Sequence, residues 1–107
     1  MSHFVIACYA PKPEKEQELL ALVRGHIPYL KNLNMVTERP PLVLRNRQGT
    51  IIEAFEWRSP DALEEAHLNP DVQDLWKRFE EVCDYQTLDN LPEAKELFAH
   101  FEILELN

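Results

Sequence analysis

Glycine is nearly missing from this chain: two residues in 107, Gly25 and Gly49, against eight prolines. There is no glycine-rich phosphate loop, no nucleotide fingerprint and no G-x-S-x-G elbow, so nucleotide-enzyme and hydrolase readings find no support. Cysteine is scarce as well. Cys8 and Cys83 stand far apart, in no C-x-x-C or metal-ligand spacing, and each falls in an apolar segment, so both are read as reduced and buried. The apolar stretch Phe4 to Ala10 is too short for a signal core or a membrane span. No membrane partner is expected, and a cytoplasmic location follows as the default. Positive charge is also short: 11 Lys and Arg against 19 Asp and Glu, net −8. Without a basic footprint, nucleic acid is not an expected partner.

What is present suffices for one domain over residues 1–107, with a 45% hydrophobic share and two tryptophans. Phe4 to Tyr9 is apolar on both faces and reads as a central strand. A helix is predicted from Glu14 to Leu33, with Leu19, Val23, His26, Ile27 and Leu30 at helical spacing and a kink or reset at Pro28. Leu42 to Trp57 reads as an antiparallel hairpin turning at Asn46-Arg-Gln-Gly49. Two capped helices follow, Pro60 to Leu68 behind Ser59 and Pro70 to Cys83 behind Asn69. Asp84 to Thr87 reads as a connector, Leu91 to Phe98 as a short helix behind an Asn90/Glu93 capping box, and His100 to Leu106 as a last strand beside the first. The order is the split βαβ, ferredoxin-like α+β plan, with a four-stranded antiparallel sheet and helices on one face.

Laid out this way, the chain resembles the antibiotic-biosynthesis-monooxygenase-like branch of the dimeric α+β barrel superfamily. The likeness rests on Lys12-Pro13-Glu14-Lys15-Glu16-Gln17-Glu18-Leu19-Leu20 after the first strand, on Glu56-Trp57-Arg58-Ser59-Pro60 at a strand end, on Ala62-Leu63-Glu64-Glu65-Ala66-His67 after it, and on the Asn69-Pro70 break before Trp76 and Phe79. The resemblance implies a homodimer that pairs two sheets. A sheet with helices on one face points the same way, since its other face would be a large bare apolar patch. The resemblance also implies a cofactor-independent oxygenase acting on a small phenol or quinol. The haem-degrading pattern is not met: Cys8 or Tyr9 stands where it wants asparagine, Ala66 where it wants tryptophan, and Trp76 where it wants histidine.

His67 and Glu53 are the candidate catalytic residues. His67 shares a helix face with Leu63 and reads either as a general base facing a pocket or as a boundary histidine bonded to the backbone. Glu53 alternates with Ile51, Phe55 and Trp57 on one strand face, where burial can make a carboxylate basic; the plainer reading is a paired or edge charge. Tyr9, Phe55, Trp57 and Trp76 are the candidate walls for a small aromatic ligand, or else core. His3 and His100 fall in strands expected to be neighbours, but no acidic or cysteine ligand supports a metal site, and no metal or cofactor is expected. Two functions compete: a cofactor-independent monooxygenase-like oxidoreductase on a small aromatic metabolite, and a non-catalytic dimeric ligand-binding or stress-associated protein.

Overall fold

A computed structural model describes residues 2–106. It is a small α+β fold in which five strands, β1 (His3–Pro11), β2 (Leu42–Arg45), β3 (Ile51–Trp57), β4 (Cys83–Gln86) and β5 (Glu102–Ile103), form one open antiparallel sheet in the order β4-β1-β3-β2-β5. Three helices, α1 (Glu16–Asn32), α2 (Pro60–Leu68) and α3 (Pro70–Val82), pack on one face. None is long and apolar enough to cross a membrane.

Local chemistry sets the helix ends. The Ser59 side chain accepts a hydrogen bond from the Ala62 N–H, and the Asn69 side chain accepts from those of Asp71 and Val72, with proline at the start of each helix. These bonds satisfy amides that a helix start otherwise leaves orphaned. α1 begins two residues later than its pattern predicts. Glu14 sits in the left-handed region at φ 66°, which stops the helix from extending back through it. Pro28 does not break α1. It lies on the exposed side, and Arg24, whose carbonyl loses its usual donor, is exposed as well.

The four-strand expectation is corrected to five, and the fourth strand is not the one the sequence suggested. The supposed connector after α3 is β4, which pairs with β1 through Tyr9↔Tyr85 and Ala10↔Asp84. No glycine or turn residue separates it from α3, so no local signal marks the switch. His100 to Leu106 pairs only at Glu102–Ile103, and with β2 at the opposite edge. His3 and His100 therefore do not lie on neighbouring strands. Leu91 to Phe98 is a single 3₁₀ turn, Pro92–Lys95, because the Glu93 side chain does not cap it. That carboxylate is buried against Asn46 Nδ2 at 3.3 Å and Arg47 Nε at 3.1 Å, and it ties the segment to the β2–β3 turn. Burial works to raise the Glu93 pKa, but the hydrogen bonds it accepts outweigh this and hold it below its usual value.

Strand alternation sorts the two faces of the sheet. Tyr9, Ile51, Phe55 and Trp57 meet the helices, while Cys8 and Ile52 face the other way, where Ile52 lies beside Leu44 and both pack with Leu91 and Phe101. That cover is partial. Phe4, Ile6 and Leu42 remain 58%, 49% and 47% exposed on the face away from the helices.

Candidate functional site

Glu53 is the most telling residue of the core. It sits mid-way along β3, between β1 and β2, on the helix-facing side, with no exposed surface. A carboxylate taken out of water needs donors, and two reach the same oxygen. The Tyr9 hydroxyl donates to Glu53 Oε1 at 2.7 Å, and His26 Nδ1 lies 2.9 Å from that atom. Each partner comes from a different element. Tyr9 points inward from β1 because it shares the alternation of Val5 and Ala7, and His26 occupies the buried stripe of α1 between Val23 and Ile27. Rings hold the imidazole in place: Phe55 at 5.5 Å and Phe79 at 5.2 Å, both edge-on. Tyr9 stays protonated far above neutral pH, because burial and then the Glu53 charge push its pKa well up.

The arrangement leaves two polar atoms without a partner, His26 Nε2 and Glu53 Oε2, both fully buried. Orphaned buried polar atoms are uncommon and call for an explanation. With Glu53 as a carboxylate, which can only accept, His26 Nδ1 must be the donor, and the lone pair of the neutral ring then sits on Nε2. A ring that donates through Nδ1 and keeps its lone pair on Nε2 has the tautomer a general base requires.

His26 lines a cavity of about 340 Å³ between the sheet and helices α2 and α3. Its walls are largely aromatic, with Tyr9, Phe55, Trp57, Trp76 and Phe79 all contributing, and the exposed Glu80 and half-exposed Tyr85 stand at its mouth. The Tyr85 hydroxyl donates to the Trp76 carbonyl at 3.3 Å, and burial raises its pKa to about 12. A larger groove of about 550 Å³ between α1 and the β2–β5 edge contains only exposed charges, Arg24, Lys31 and Glu105, and no buried polar group.

The structure brings Tyr9, Glu53, Phe55, Trp57 and Trp76 into one region, the first two as hydrogen-bond partners and all but Glu53 as cavity walls. It does not bring His67 to them. That side chain lies on the exposed side of α2, and its Nδ1 donates to the Leu63 carbonyl at 2.9 Å. Its ring packs edge-on to Trp76 at 5.2 Å, outside the cavity lining. His26, read from sequence only as an apolar-face position, takes the place expected of His67. The available signal was a histidine at a core position of the α1 repeat facing a strand with an inward glutamate. Cys8 and Cys83 are buried free thiols, with Cys83 raised to about 11 by burial.

No protein-family model, curated protein or solved structure matches the chain.

Proposed function

We propose that this protein is a homodimeric, ferredoxin-like, monooxygenase-like enzyme that oxidises a small phenol or quinol without a cofactor. The observation that carries the reading is His26, which lines an aromatic cavity, meets Glu53 through Nδ1 and leaves its buried Nε2 without a partner. His26 Nε2 accepts the phenolic proton and becomes a cation against the Glu53 carboxylate. Tyr9 holds that carboxylate in place. The bound anion is electron-rich and meets dioxygen against the largely apolar cavity wall. One oxygen atom enters the ring as a carbonyl and the other leaves as water, so a phenol and O₂ give a quinone and H₂O. The substrate supplies all the electrons.

The ferredoxin-like part of the reading is supported by the order β4-β1-β3-β2 and by helices gathered on one face, with β5 as an addition at the edge. The homodimer is supported by the exposed Phe4, Ile6 and Leu42 on the opposite face, an apolar surface of the kind that marks an interface.

The test is oxygen uptake and quinone formation on a panel of phenols and quinols with the wild type, His26→Gln and His67→Ala. Loss of a general base costs about 10²–10⁴-fold in turnover. His26→Gln is expected to fall in that range and His67→Ala to stay within about threefold, as for a residue outside the reacting groups. Full turnover by His26→Gln would overturn the assignment. Saturable binding with no product from the wild type would establish the ligand-binding alternative instead.

A further inference from the structure

The groove of about 550 Å³ between α1 and the β2–β5 edge shares no lining residue with the aromatic cavity. Its floor is apolar, with Val23, Ile27 and Val43 buried beneath it. Pro28, Pro40 and Pro41 stand along its sides, and a proline brings no N–H donor to a wall. Leu42 and Ile103, both exposed, finish the edge. Charged side chains enter only at the rim. Arg24 and Lys31 lie on one flank of α1, about 10.5 Å apart along the helix axis, and Glu105 lies on the segment after β5. In a chain with 11 basic and 19 acidic residues, a lining with two bases and one acid runs against the overall charge.

Arg24 is the oriented charge of the pair. Its Nε donates to the Leu106 carbonyl at 3.2 Å, which fixes the plane of the guanidinium. Among the described residues no carboxylate pairs with it, and its two terminal nitrogens have no acceptor. A free guanidinium edge of this kind holds a carboxylate through two parallel hydrogen bonds. Lys31 is already engaged, with its Nζ 3.8 Å from Glu38 Oε2 in an exposed ion pair. Between Arg24 and Lys31 the groove continues over Ile27 and Pro28, so a chain anchored at Arg24 lies on apolar surface. We infer that the groove binds a second ligand, a free amphipathic carboxylate with an unbranched aliphatic chain, its head on Arg24 and its chain along Ile27, Pro28, Pro41 and Leu42. The volume falls within the range of small-molecule sites, about 300 to 1,000 Å³. An aliphatic chain fits better than a ring because no aromatic side chain lines the groove, whereas the other cavity is walled by them. The net charge of −8 sets the source of the anion as a free molecule, since an anionic bilayer repels the chain as a whole.

The experiment titrates the wild-type protein with decanoate and with decanol, which share one chain and differ in the head, and follows backbone amides by NMR at neutral pH. Decanoate is expected to bind about fivefold more tightly, the size of one exposed Arg–carboxylate pair. The shifted amides should be those of residues 23–31, 41–43 and 103–106, with the aromatic cavity unmoved. Arg24→Gln should bring the two probes within about twofold of each other, and about 0.5 M salt should do the same, because the pair is exposed. Ile103→Glu puts a charge into the apolar edge at an exposed position and should weaken both probes about tenfold. His26→Gln lines the other cavity and should leave decanoate binding within about twofold. Equal affinity for the two probes in the wild type, or shifts confined to the aromatic cavity, overturns the assignment. So does binding to phosphatidylglycerol vesicles with no binding of decanoate. Failure of both probes, with groove amides that shift as protein concentration rises, would make the groove a contact between copies of this chain and end the proposal. The wild-type comparison decides the matter even if a variant fails to fold, and phenol oxidation, which uses the other cavity, is tested separately.

Discussion

Tyr9→Phe isolates one hydrogen bond to a buried charge. The phenyl ring keeps the packing at 5.1 Å from Phe79 and 5.8 Å from Tyr85, and the loss is the donor at 2.7 Å from Glu53 Oε1. A hydrogen bond to an ionised group contributes about 1.5–3 kcal/mol, so the variant should lose about 2 kcal/mol. With a urea slope of about 1.5 kcal/mol/M, the unfolding midpoint should fall by about 1.3 M. In a Glu53→Gln background the same substitution removes a bond between neutral groups and should cost about 1 kcal/mol. The double-mutant cycle then yields a coupling of about 1 kcal/mol, read from urea unfolding followed by tryptophan fluorescence at neutral pH. Equal costs in the two backgrounds, within about 0.3 kcal/mol, would show that Tyr9 does not bond a carboxylate in the folded protein. The electrostatic account of His26 would fall with it, because the donor role of Nδ1 rests on that carboxylate.

Two further predictions concern the surface. Replacing Phe4 and Ile6 together by lysine places charge on the exposed apolar face and should convert a dimer to a monomer in sedimentation without loss of helix signal; a monomeric wild type would remove the proposed interface. Glu56 accepts hydrogen bonds from Ser2, Thr37 and Arg39, which lower its carboxyl pKa from 4.5 to about 2. A folded pKa below the unfolded one means that this contribution is complete above about 4.5 and is lost as pH falls towards about 2. Glu56→Gln should flatten that part of the acid stability profile, and an unchanged profile would contradict the bonding.

The legible parts of the fold were those written in adjacent residues. Ser59 and Asn69 cap helices because their own side chains reach amides two or three residues on, and the hairpin around Gly49, at φ 89°, needs only its own turn. Alternation along β3 placed Glu53 on one face with Phe55 and Trp57, but not which face the helices would cover. β4 was illegible because four residues continuing straight from a helix become a strand only through their register with β1. Glu93 looked like a cap and became a buried strut because Asn46 and Arg47, far away in sequence, offered it better partners.

The same division runs through the candidate site. By itself the sequence determined that the chain holds three long helix-forming stretches, two of them with capped starts, an inward-capable glutamate, and a histidine at a core position of α1. All of these follow from interactions a few residues in range. Only the tertiary structure decided that His26 and not His67 would meet Glu53. His67 finds the Leu63 carbonyl one turn away and spends its donor there, whereas His26 is carried by α1 across β3, 27 residues from Glu53 in the chain and 2.9 Å from it in space. Burial then turns that proximity into chemistry, since a fully buried carboxylate oxygen favours a donor at Nδ1 and so leaves the lone pair of a neutral ring on Nε2.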